Sequence, residues 1–159
     1  VEQRASLLVW LLLTLIKESP LMTYSRGGAA YGRGANAYAR VGVESGVMSA
    51  DPHQLIVMLF DGAQAAIRAA RIHMQAGHTA EKGKSISKAL DIINNGLVAA
   101  LDQEKGGDIA ERLASLYDYI SRLLLAANLR NDEDSLNQAE RLLEDIASAW
   151  REIGQQQSA

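Results

Sequence analysis

Apolar residues return every three or four positions along four separate stretches of the chain, the spacing that gathers them on one face of an α-helix. In the first stretch Leu55, Leu59, Ala63, Ala66, Ala70 and Met74 trace one face, and Gln54, Asp61, Gln64, Arg68, Arg71 and Gln75 trace the other. Asp51-Pro52-His53-Gln54 opens this helix: Asp51 is placed to cap free amides, Pro52 suits the first helical position and Gln54 is placed to reach back. Gly77 ends it. A second helix is predicted from about Glu81 to Leu101, with Ile86, Leu90, Ile93, Leu97 and Leu101 as its stripe. After Gly106-Gly107, Asp108 is the expected cap of a third, striped by Ile109, Leu113, Leu116, Ile120, Leu124 and Ala127. Asn131-Asp132 interrupts the pattern, and a fourth helix carries Leu136, Ala139, Leu143, Ile146, Trp150 and Ile153 before Gly154 and a polar tail.

Each stripe must be covered by another, and connections of a few residues force consecutive helices to run antiparallel. The expected fold is therefore all-α: an antiparallel, up-down-up-down four-helix bundle over residues 49–154, with a flexible N-terminal arm and a polar tail at 155–159. A chain of 159 residues, 48% of them apolar, has material for one such domain and an appendage.

The absence of cysteine excludes disulfide frameworks, thiolate nucleophiles and Cys-based metal centres. It permits the cytosol. The net charge of −3 is unevenly spread, since residues 22–48 carry Arg26, Arg33 and Arg40 against Glu44 alone, whereas the body after them is acidic. An acidic body argues against a broad nucleic-acid footprint, which needs clustered Lys and Arg.

The run Ala5 to Ile16 is strongly apolar, but it is shorter than the roughly 18 residues expected of a membrane span. It also lacks the small-residue cleavage site of a signal peptide, because Glu18-Ser19-Pro20-Leu21 follows it. Met22 opens a segment of different composition, so residues 1–21 are expected to be an upstream extension from readthrough or an early start. Residues 22–48 hold six of the 13 glycines and read as an arm. Within it Tyr24-Ser25-Arg26, Tyr31-Gly32-Arg33 and Tyr38-Ala39-Arg40 repeat at a period of seven. Tyr and Arg separated by Gly suit stacking on single-stranded nucleic acid, but three copies favour the plainer reading of a flexible tail whose rings dock on the bundle or a partner.

Chemistry-bearing constellations are scarce. Ferritin-like bundles need Glu-x-x-His, which does not occur. His53 falls in a first helical turn, and His73 and His78 straddle the Gly77 helix end at a spacing unlike that of two ligands on one face. No metal or other cofactor is expected. There is no Gly-x-Ser-x-Gly elbow, and Glu81-Lys82-Gly83-Lys84-Ser85 lacks the upstream glycine of a phosphate loop, so it reads as a solvated helix start. The expectation is a protein without an active site.

The informative residues are then the apolar ones that a simple bundle does not need. Val57, Met58, Phe60 and Ile72 fall off the main face of the first helix, Ile92 and Val98 off the second, and Tyr119, Leu125 and Leu129 off the third. They either widen the core or line grooves, and apolar grooves between helices suit amphipathic helical peptides.

These features, with longer stretches around them, resemble the flagellin-specific export chaperones of bacterial flagellar assembly, the FliS family. The resemblance covers about residues 35–153. It rests on Ala37-Tyr38-Ala39-Arg40-Val41-Gly42-Val43-Glu44-Ser45 and on Val47-Met48-Ser49-Ala50-Asp51-Pro52-His53-Gln54, continuing to Ala63. Glu104-Lys105-Gly106-Gly107-Asp108, Leu116-Tyr117-Asp118-Tyr119-Ile120, Ala127-Asn128-Leu129-Arg130-Asn131-Asp132 and Ala149-Trp150 extend it. The resemblance implies a cytoplasmic bundle that binds the disordered C-terminal segment of flagellin, prevents premature polymerisation and hands the client to a component of the flagellar export gate. It implies no nucleic-acid partner and no membrane insertion. It also implies an arm that covers part of the client site, with Tyr38 at the matching position; Tyr24 and Tyr31 depart from the family pattern. The alternatives left open are a non-enzymatic helical adaptor for another regulatory or flagellar protein, and RNA binding through the arm.

Overall fold

A computed structural model describes residues 52–158, which form α1 (Pro52–Gln75), α2 (Thr79–Ile92) continued by a π-helical segment (Ile93–Val98), α3 (Gln103–Arg130) and α4 (Glu133–Ser158). The expected Asp51 cap, the 22–48 arm with Tyr38 and the 1–21 extension lie outside the described residues. Among the described residues there is no strand.

The sequence directs each turn of the chain. Gly77 adopts φ +74°, and the amides of Gly77 and His78 close onto the carbonyls of Met74 and His73 at 3.2 and 2.8 Å. This is the left-handed helix stop that glycine makes without steric cost. Asp102 rather than Asp108 caps α3, its carboxylate accepting from the amides of Glu104 and Lys105. The helix then kinks at Gly107, which is non-helical at φ 50° and ψ −132°. Asn131 ends α3 at φ 57°, and Asp132 starts α4 by accepting from the Ser135 amide and hydroxyl. Those two bonds, the hydroxyl's first, hold the Asp132 carboxyl below the usual carboxylate range.

Two boundaries differ from the sequence expectation. The second helix leaves α geometry at Ile93, where a wider turn keeps Ile93 and Leu97 buried together while Leu90 and Leu101 only edge the core. The fourth continues through Gly154 to Ser158, because a single glycine lowers helix propensity by only about 1 kcal/mol when tertiary contacts favour continuation.

Cross-helix hydrogen bonds fix the topology. Along α1, His53, Gln64, Arg71 and Gln75 meet Trp150, Glu144, Asn137 and Glu133 in descending order on α4. Those two helices are antiparallel. Lys82 reaches Asn128 and Asn131 while Asn94 accepts from Ser121, so α2 and α3 are antiparallel as well. Gln138 donates to the Tyr119 hydroxyl, and Ile153 shares a small cluster with Ala110, which orients α4 against α3. Each helix packs on its chain neighbours and α4 closes onto α1, giving the up-down-up-down bundle.

Packing is closest between α1 and α2, where the buried alanines Ala63, Ala66, Ala70 and Ala89 let backbones approach. Around them Leu55, Leu59, Phe60, Ile67, Ile86, Ile92, Leu124, Leu136 and Leu143 fill the core. The seam between α2 and α3 is the loosest of the four.

Candidate functional site

The two seams at opposite sides of the bundle are built from different chemistry. Between α1 and α4 a row of polar side chains interlocks. Arg68 and Arg71 both bind Glu140, at 2.9 and 2.6 Å, and Arg71 also donates to Asn137. Gln64, buried, donates to Glu144, and Arg151 spans Asp61 and Glu144. Burial alone raises the Glu140 carboxyl, but hydrogen bonds from Arg71 and Arg68 outweigh it and hold the group below the ordinary range. Glu144 is lowered chiefly by the hydrogen bonds from Gln64 and Ser148. This seam is latched.

Both carboxyls have folded-state values below their unfolded ones, so their stabilisation is present above about pH 4.3 and is lost as pH falls through the folded-state values. Glu140→Gln is therefore expected to flatten the fall of the urea midpoint between about pH 6 and pH 3, the range that spans those transitions. An unchanged slope would show that the Arg68–Arg71–Glu140 cluster contributes nothing to acid sensitivity.

Across the α2–α3 seam Lys82 bonds to the Asn128 carbonyl and Asn131 side chain, at 3.0 and 2.8 Å, and Ser121 makes a long contact with Asn94. The α2 residues that border it include Gly83 and Ser87, which are small, and Leu90, half-buried. Beside them on α3 stand Leu125, 54% exposed, and Leu129, 82% exposed. Two further large apolar side chains reach solvent: Tyr119, at 45%, on the α4 side of α3, and Ile72, at 63%, on the outward face of α1. Leaving four such side chains in water is unfavourable by the apolar area they expose.

The nine residues singled out from the sequence thus divide. Ile72, Tyr119, Leu125 and Leu129 are exposed. Val57 is half-buried, and Met58 and Val98 are half-buried against the core. Phe60 and Ile92 are corrections, since both are fully buried core residues. The buried face of α1 is wide enough for two neighbours, so a second row, Ile56, Phe60 and Ile67, joins the first. Ile92 turns inward at the start of the π segment.

Sequence reasoning also missed Lys82, which is not a solvated helix start but is 4% exposed. His73 and His78 do come together, with ring centroids 5.8 Å apart, because the Gly77 turn folds one toward the other. Among the described residues no three metal-ligating side chains gather, and no helix is long and apolar enough to cross a membrane.

The family described as "Flagellar protein FliS" matches residues 34–157. The chain belongs to the FliS family. It is 58% identical over 120 residues to the "Flagellar secretion chaperone FliS" of Salmonella typhimurium, covering 76% of this chain and 89% of that protein. The protein of the same name from Escherichia coli is 48% identical over 120 residues, with 76% and 88% covered. The Bacillus subtilis protein of that name is 27% identical over 109 residues, with 69% and 80% covered. FliS is a chaperone family, not an enzyme family.

Proposed function

We propose that this chain is a cytoplasmic export chaperone that binds the disordered C-terminal segment of flagellin, prevents premature filament polymerisation and delivers it to the flagellar export gate. The observation that carries this is the uncovered apolar flank of α3, Leu125 and Leu129 with Tyr119 on its other side, in a family whose members are named flagellar secretion chaperones. A disordered client can wrap such a shallow surface. It loses conformational entropy on ordering, so binding stays reversible enough for release at the export gate.

The bundle over 49–154 serves as the client platform. The 22–48 segment, with Tyr38, acts as a competitor that shields the same apolar surface and reduces apparent client affinity by the fraction of platforms left open.

Titrating the full chain with an isolated flagellin C-terminal peptide tests the proposal. Saturable binding with ordering of the peptide is expected, and removal of residues 22–40 is expected to tighten it or to lower the solubility of the empty chaperone. A peptide that neither binds nor orders would favour the helical adaptor instead.

A further inference from the structure

The turn between α1 and α2 brings together two side chains that the proposed client surface does not include. His73 and His78 sit at the two ends of the glycine stop. The His78 amide donates to the His73 carbonyl at 2.8 Å, the Gly77 amide donates to the Met74 carbonyl at 3.2 Å, and Gly77 between them is left-handed at φ +74°. A stop of this kind fixes its first and last residues against each other, and the side-chain contact between them is ordinarily apolar. Here both partners are imidazoles. Their ring centroids lie 5.8 Å apart with the planes at 42°. The spacing in sequence argued against two ligands on one helical face, and the geometry is of another kind, with one ring on each side of a turn.

The His73 Nδ1 is buried and has no hydrogen-bond partner among the described residues. A buried polar atom without a partner is costly, and an imidazole lone pair is met by a donor or by a cation. His78 is exposed, so the pair opens toward solvent on one side. The chain's remaining histidine, His53, is at the opposite end of α1, and its Nε2 is already bonded to the Trp150 carbonyl. Two imidazoles bound to one ion at about 2.0–2.1 Å per nitrogen have centroids on the order of 5–6 Å apart. The rings of His73 and His78 fall in that range with the turn as it stands.

We propose that His73 and His78 form a two-histidine site for a divalent transition-metal ion of the kind imidazole favours, Zn²⁺, Ni²⁺ or Cu²⁺. Among the described residues no third ligating side chain joins them, so the remaining positions are open to water or to a ligating group from another molecule. Imidazole nitrogens discriminate against Mg²⁺ and Ca²⁺, which take oxygen ligands, and rank Cu²⁺ ahead of Ni²⁺ and Zn²⁺. A bound ion links the end of α1 to the start of α2 by a second, reversible tie beside the backbone turn. The site is independent of the client reading.

The test is calorimetric titration of the full, untagged chain with Zn²⁺, Ni²⁺, Cu²⁺ and Mg²⁺, repeated on His78→Gln and His73→Gln. One equivalent of each transition ion is expected to bind, Cu²⁺ most tightly, with no heat from Mg²⁺. Each variant keeps a single imidazole and is expected to weaken binding by about a hundredfold, the upper end of what losing even a supporting group costs a metal site. His78 is exposed, so the metal-free thermal midpoint of His78→Gln is expected to stay near the parent's. Added Zn²⁺ should raise the midpoint of the parent and leave those of both variants in place. In ring-nitrogen NMR spectra the His73 and His78 signals should move together while those of His53 stay. Absence of saturable binding below about 1 mM would overturn the inference, as would binding that His78→Gln leaves unchanged or that shifts His53 instead. Half an equivalent per chain, with two chains joined through His78, would overturn it as well, because the two rings of one turn would then not share an ion.

Discussion

Replacing Gly154 by alanine is expected to destabilise the bundle by about 2 kcal/mol, although helix propensity alone favours alanine by about 1 kcal/mol. The His53 ring lies over this glycine, and an added Cβ would sit 2.3 Å from its Cε1. The ring has little room to retreat. It stacks on Trp150 with centroids 5.3 Å apart and planes within 4°. Its Nε2–H donates to the Trp150 carbonyl at 2.7 Å, and the Trp150 indole N–H donates back to the His53 carbonyl at 3.2 Å. Displacing the ring loses a hydrogen bond worth about 1 kcal/mol along with the stack, and overpacking adds to that. Urea unfolding of Gly154→Ala, alone and with His53→Ala, checks the account: the double variant should lose less than the sum of the singles. A stabilised Gly154→Ala would mean that propensity, not the clash, decides.

That contact also illustrates what the sequence could and could not convey about the fold. The four stripes and the short connections make the bundle legible, because hydrophobic periodicity is a local property and antiparallel pairing follows from loop length. Helix ends were less legible. Asp102 and Asp108 both offer a capping carboxylate near glycines, and only the chain's path from the π segment selects Asp102. Gly154 looks like a stop until His53, 101 positions earlier, is found resting on it. A π turn has no one-dimensional signature in Ile93-Asn94-Asn95-Gly96.

The candidate surface was legible where it depends on a single helix. Leu125, Leu129 and Tyr119 lie away from the inward stripe of α3, so a helical wheel is enough to expose them. It failed where a helix serves two neighbours: Phe60 lies off one stripe of α1 and belongs to another. Nor does a wheel tell which seam is latched. The Arg68, Arg71 and Glu140 cluster needs both helices placed before its charges meet.

Lys82 is the residue on which the loose seam depends, and Lys82→Met is expected to cost about 2 kcal/mol of stability. Its ammonium donates to the Asn128 carbonyl at 3.0 Å and to the Asn131 side chain at 2.8 Å. The first of these is one of the carbonyls that the end of α3 leaves without a helical partner. A cation at this position also favours the negative end of the helix dipole. Methionine preserves the buried stem and removes only the donor, so the loss isolates the hydrogen bonds from packing; Lys82→Ala, which also removes the stem, is expected to cost about 3 kcal/mol. Asn131→Gly is expected to cost about 1 kcal/mol: glycine accepts the left-handed backbone at φ 57° without strain, but Lys82 loses its bond to the Asn131 side chain and keeps only the Asn128 carbonyl. Urea midpoints with unchanged m-values at neutral pH read these differences directly. If Lys82→Met were as stable as the parent, the bundle would hold its α2–α3 seam by apolar contact alone.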